Sequence, residues 1–278
     1  MNRKSILNVN GLSFNALEEG PADSQLVLLL HGFPEFADAW TEIMHALAAA
    51  GLHTVTVDQR GYSPGARPPN VKEYAVEYLI SDVLGFAATL GTAQFHLVAH
   101  DWGALLAWQI AARFPERIRS LSVLSTPHPN AFLEALQNDA DQKKRSQYIT
   151  LFRAPGHAAE SLLQADDNRL LRNIYQGKVP ESLVNENIRR LAEPGALTAA
   201  LNWYRALDLN ARTGKVSVPT FFAWGTEDLA LGETAALATA AYVTGPYRFE
   251  KLQGKSHWLI EESDLISPLL LDHIQAHA

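Results

Sequence analysis

The chain contains no cysteine, which excludes disulfides, thiolate metal sites and a cysteine nucleophile. Positive charge is also scarce: 23 Lys and Arg stand against 30 Asp and Glu, a formal net charge of -7. Neutralising phosphates needs a concentrated basic surface, so no nucleic-acid partner is expected. The one basic cluster, Lys143-Lys144-Arg145, follows Asp139 and Asp141 and reads as a solvated helix face. Long apolar runs are missing too. Leu26-Val27-Leu28-Leu29-Leu30 is far too short to span a bilayer. The N-terminal MNRKSILNVNGLSF alternates polar with apolar residues and makes a poor signal peptide, so a cytoplasmic location is expected.

What is present suits one α/β unit carrying an insertion: 278 residues, 47% of them apolar. Strands are predicted at Ile6–Val9, Ser13–Glu18, Leu26–Leu30, Thr54–Asp58, Phe95–Ala99, Leu121–Leu124, Thr220–Trp224 and Arg248–Leu252. Helices are predicted at Phe36–Ala50, Ala75–Leu90, Ala104–Phe114, Glu233–Tyr242 and Ser263–Ala276. Asn10-Gly11 marks a hairpin between the first two strands. From Leu26 onward the β-then-α order implies a mostly parallel, eight-stranded sheet with helices on both faces. The alternation stops after Thr126-Pro127-His128-Pro129, and only helical patterns follow until about Lys215. The expected division is therefore a core of residues 1–127 and 216–278, with residues 128–215 as an all-helical cap above the strand ends.

The densest chemical signal is Ala99-His100-Asp101-Trp102-Gly103, where a strand turns abruptly into a helix with a small residue two before and two after Asp101. That is the spacing of a nucleophile elbow, with Asp in place of the usual Ser. The change matters chemically. A serine attacking an sp³ carbon leaves an ether that water does not readily release, whereas a carboxylate leaves an ester that can be hydrolysed. The expected substrate is an electrophilic sp³ carbon and not an ester or amide. Ser122 and Ser125, on another strand, lack elbow spacing.

An acid and a histidine should follow in chain order, each after a strand. Asp228 is chosen as the orienting carboxylate, with Glu227 its rival, and His257 as the general base. Upstream, His31-Gly32-Phe33-Pro34-Glu35 follows a hydrophobic strand, so the backbone N–H groups of Phe33 and Trp102 are assigned to an oxyanion hole. Glu35 reads equally well as an acid near a helix N-terminus. Phe33 and Trp102 with Trp203 and Trp258 predict an apolar pocket, and His31, Pro34, Trp203 and Trp258 are assigned to substrate binding.

The motifs HGFPE, DQRGYSPGARP, AHDWGA, STPHP, NWYR, WGTEDLALG and GKSHW, spread over nearly the whole chain, resemble the α/β-hydrolase superfamily, and within it the epoxide hydrolases and neighbouring haloalkane dehalogenases. The resemblance implies two cap tyrosines that hydrogen-bond the epoxide oxygen as the ring opens: Tyr204 within Asn202-Trp203-Tyr204-Arg205, and Tyr148 ahead of Pro155-Gly156. It also implies a small apolar epoxide as substrate, a vicinal diol as product, and no cofactor or metal. Ala99 stands where the family more often has Gly, and the Ser63–Pro68 loop departs from the best-known members. A dehalogenase is the alternative, but Phe33 stands where its Asn would follow His-Gly, and Trp102 where haloacid enzymes carry Arg. A catalytically silent binding protein is the distant third reading. The oligomeric state stays open between monomer and homodimer.

Overall fold

A computed structural model describes residues 3–278; Met1 and Asn2, which begin the segment read above as a poor signal peptide, lie outside the described residues. Eight strands form one sheet: β1 (Arg3–Val9), β2 (Leu12–Glu19), β3 (Leu26–Leu30), β4 (His53–Val57), β5 (Phe95–His100), β6 (Ile118–Leu124), β7 (Thr220–Gly225) and β8 (Tyr247–Leu252). Their order is β1-β2-β4-β3-β5-β6-β7-β8. β2 pairs antiparallel with both β1 and β4, and the remaining pairs are parallel. Asn10 and Gly11, both with positive φ, close the first hairpin.

The sheet is covered on both faces, which is why its central strands are apolar without alternation. Within β3, Leu26, Leu28 and Leu30 point into one core and Val27 and Leu29 into the other. The first core is closed by α2 (Val76–Thr89) and α3 (Asp101–Arg113). The second is closed by α1 (Thr41–Ala49) and, at the end of the chain, the helix Ser263–Gln275. β1 and β8 flank the sheet and are correspondingly more polar and more exposed. Several expected boundaries move: the helix expected over Phe36–Ala50 is a 3₁₀ turn at Ala37–Trp40 followed by α1 from Thr41, and β1 and β6 each begin three residues earlier than expected, at Arg3 and Ile118. α3 begins at Asp101, three residues earlier than predicted, and the stretch Glu233–Tyr242 divides into an α-helix and a 3₁₀ turn at Thr239.

Between β6 and β7 the chain builds helices only: α4 (Pro129–Asn138), α5 (Ala140–Arg145), α6 (Gln147–Phe152), α7 (Ala158–Ile174), α8 (Glu181–Leu191) and α9 (Ala196–Ala206). The short α10 (Glu233–Ala238) then precedes β8, and the terminal Ser263–Gln275 is α11. Polar ties fasten the insertion to loops that leave the sheet. Tyr175 donates to the Pro34 carbonyl at 2.8 Å, the Trp203 indole to the Arg60 carbonyl at 2.7 Å, and Arg145 to the Asp228 carbonyl. Arg190 pairs with Asp58 and Asp38 and lies 3.7 Å over the Phe36 ring. The acceptors follow β3, β4 and β7, so the helices roof the carboxyl ends of the strands, where a doubly wound sheet carries its chemistry. No helix among the described residues is long and apolar enough to cross a membrane.

Candidate active site

Asp101 has a φ of 50°, a left-handed conformation unusual for a residue with a Cβ. β5 ends at His100 and α3 starts at the next residue, so the chain turns within one residue and lifts the carboxylate above the sheet. Such strain persists only where the surroundings hold it. Here two glycines allow it. A Cβ on Gly32 would lie 2.1 Å from Asp101 Oδ1, and one on Gly103 would lie 2.4 Å from the Leu30 carbonyl oxygen.

The carboxylate is held on both sides. The Phe33 N–H donates to Oδ1 at 2.7 Å, while His257 Nε2 lies 3.6 Å from Oδ2. On its far side His257 Nδ1 meets Asp228 Oδ2 at 2.8 Å, which fixes the ring's orientation. Asp228 is anchored in turn: its Oδ1 accepts from the Ala230 and Leu231 N–H groups at 2.8 and 2.9 Å. Glu227, the rival acid, is exposed and does not contact His257; Asp228 is buried. The His257 carbonyl accepts from Ser125 Oγ at 2.6 Å and lies 2.9 Å from His100 Nε2. Burial opposes charge on His257, but the Asp228 and Asp101 carboxylates outweigh it and push the imidazole up to about 10. Burial likewise works against the Asp101 carboxylate, yet the facing His257 imidazole, with the Phe33 N–H, holds it below its ordinary value. His257, lying between Asp228 and Asp101, is thereby biased towards its protonated form.

The insertion closes the site from above. Tyr148 and Tyr204 lie with ring centres 6.2 Å apart, and Tyr204 meets Trp102 edge-on at 4.7 Å and Phe33 at 5.6 Å. Burial, reinforced by the Asp101 charge, raises both phenols well above their usual value, so both keep their protons. Asp101, Trp102, Tyr148, Trp203 and Tyr204 share the wall of one cavity of about 230 Å³.

Three residues read as substrate-binding sit elsewhere. His31 is fully buried under the loop, its Nε2 accepting from the Gln59 N–H at 3.2 Å and its ring packed on Tyr62. Pro34 is tied to Tyr175, and the Trp258 ring packs on Tyr175, His100 and His257. Their loops carry the site, but these side chains brace it instead of lining the cavity. Sequence reasoning missed a second acid–imidazole pair: Glu35 is fully buried, with Oε2 3.6 Å from His100 Nδ1. The adjacency of His100 to Asp101 was the available signal.

Residues 25–264 match the family described as alpha/beta hydrolase fold. Epoxide hydrolase A of Mycobacterium tuberculosis is 32% identical, the alignment covering 92% of each chain. AB hydrolase superfamily protein YfhM of Bacillus subtilis is 31% identical over 97% of this chain and 96% of its own. Among solved structures, epoxide hydrolase A from Mycobacterium thermoresistibile superposes with a TM-score of 0.87 at 26% identity, covering 99% of this chain and 98% of that one. The Bacillus megaterium epoxide hydrolase in complex with an inhibitor gives 0.88 at 25% identity over 98% and 100%. An elbow bearing a left-handed Asp101, an eight-stranded sheet and these relatives agree: the chain belongs to the α/β-hydrolase family and resembles its epoxide hydrolases.

Proposed function

We propose that the protein hydrolyses epoxides to vicinal diols through an ester on Asp101. The observation that carries this reading is a carboxylate with one oxygen on a backbone N–H and the other beside His257, facing a cavity that two protonated tyrosines also line. Asp101 Oδ2 attacks an epoxide carbon, and the carbon–oxygen bond of the ring breaks. Tyr148 and Tyr204 hydrogen-bond the departing oxygen, which takes up a proton drawn ultimately from the His257 imidazolium. The products of this step are a hydroxyl, an ester and a neutral imidazole.

The second step reverses the charge on the base. With Asp101 esterified, one of the two anions that hold the proton on His257 is gone, so its pKa falls and the imidazole can accept a proton from water. The hydroxide formed attacks the ester carbonyl. Negative charge builds on Oδ1, where the Phe33 N–H already points and the Trp102 N–H is the second donor of the oxyanion hole. Collapse releases the diol and restores both the carboxylate and the imidazolium. The distances and the chemistry of an Asp nucleophile, together with the names of the relatives, support this reading.

A single turnover in heavy-oxygen water tests it. The label is expected first in the Asp101 carboxylate, with an unlabelled diol. Label in the diol of the first turnover would mean that water attacks the epoxide directly and would overturn the ester mechanism.

A further inference from the structure

The cavity does not end at the reacting groups. Asp101, Leu105 and Gln109 are spaced four apart on α3 and all line it, so it runs along one face of the helix. Eight residues at a rise of ~1.5 Å each place Gln109 about 12 Å from the nucleophile along the axis. Gln109 is only 9% exposed. Its Nε2 donates to Thr213 Oγ1 at 2.7 Å, and Thr213 is itself pinned by Asn130 through its N–H (2.9 Å) and carbonyl (2.8 Å). The amide is thus oriented, and its Oε1 has no donor among the described residues.

Between the two ends the wall is apolar, with Leu105, Phe132 and Leu133. Apart from Asp101, the charged residues on it are Glu77 and Asp208, both acidic; no Lys or Arg among the described residues lines the cavity. An anionic tail would meet acidic side chains and no Lys or Arg on the cavity wall, while a neutral donor would find an oriented acceptor at the far end.

We propose that Gln109 forms a distal subsite selecting elongated, neutral epoxides whose apolar spacer ends in a hydrogen-bond donor such as a hydroxyl. This rests on the epoxide reading above. A span of about 12 Å corresponds to roughly ten extended bonds, since three backbone bonds cover ~3.3–3.6 Å.

The test compares 1-decene oxide, the same epoxide with a hydroxyl on its far carbon, the same with a carboxylate there, and styrene oxide as a short reference. In the wild type the carboxylate is expected to be the poorest of the decyl series. The ratio of kcat/KM for the hydroxyl compound to that for 1-decene oxide is expected to fall roughly three- to tenfold in Gln109→Leu, mainly through KM, the size of one hydrogen bond. Thr213→Val, which frees the amide, should lower it by a smaller factor. An unchanged ratio in both variants, or a carboxylate that is the best wild-type substrate, overturns the subsite. Turnover of styrene oxide alongside such a result leaves the epoxide assignment standing; no turnover of any of the four contradicts that assignment and this proposal with it.

Discussion

The sheet loops and the helical insertion hold their side chains by different forces. On the core side the links are polar and mostly directional: Phe33 N–H to Asp101, His257 to Asp228, and Asp228 to two backbone N–H groups, with Asp101 facing His257 at 3.6 Å. On the insertion side Tyr148 and Tyr204 are caged by rings, Phe33, Trp102 and Phe152 among them, at centroid distances between 4.7 and 5.6 Å. Hydrogen bonds have narrow angular optima and aromatic edge contacts broad ones. In the proposed ester mechanism the core fixes the line of attack, and the insertion shapes the space in which the epoxide turns. A few polar ties, Arg190, Tyr175, Trp203 and Arg145, hold the two in register.

Breaking the core side should cost most. Asp101→Asn removes the proposed nucleophile and is expected to lower kcat by more than about 10⁴-fold, a loss that steady-state turnover would show directly. Breaking the insertion side should cost less. Tyr204→Phe is expected to reduce kcat by roughly 10²- to 10⁴-fold, with Tyr148→Phe at or below the lower figure and ester formation as the affected step. Equal losses for Asp101→Asn and either tyrosine variant would remove the distinction between the two regions.

The ties between the regions come next. Arg190→Leu strips the partner from Asp58, which is buried, and should cost about 3–5 kcal/mol. Hydrogen exchange is expected to speed up across α8 and α9 while β3 and β5 stay protected; uniform loss of protection would show that core and insertion unfold as one unit. The smallest effect is on pH dependence. His257 keeps its proton up to about pH 10 in the free enzyme, so ester formation should slow as pH rises through about 10. Ester hydrolysis needs the neutral imidazole and should speed up with pH, with a midpoint below 10, because esterification removes the Asp101 charge. Single-turnover tryptophan fluorescence resolves the two steps, and coincident profiles would contradict the changing charge on His257.

The same contrast explains what could be read from the sequence. The core was legible because its strands are short apolar runs punctuated by turns, and because the elbow, the acid and the histidine follow in a fixed order at strand ends. Asp228 is chosen over Glu227 from motif position alone; in the structure Asp228 is buried 2.8 Å from His257 and Glu227 is exposed. The insertion was legible as helices and through two tyrosines suggested by resemblance, but its cavity depends on how helix faces meet, which periodicity does not specify. His31, Pro34 and Trp258 stand in the right motifs with side chains turned to brace the loops, and Glu35, for which a helix-end acid is one of two equal readings, is fully buried beside His100. A motif locates a backbone; which side chains face the substrate is settled by packing.

The central claim is a covalent ester on Asp101 released by His257. Its most direct test is the intact mass of a His257→Gln variant after incubation with styrene oxide. The predicted result is a stable adduct with the mass of the whole epoxide, localised to the peptide containing Asp101 and absent when Asp101→Asn is added. A variant that still forms diol while its mass never changes would contradict the claim.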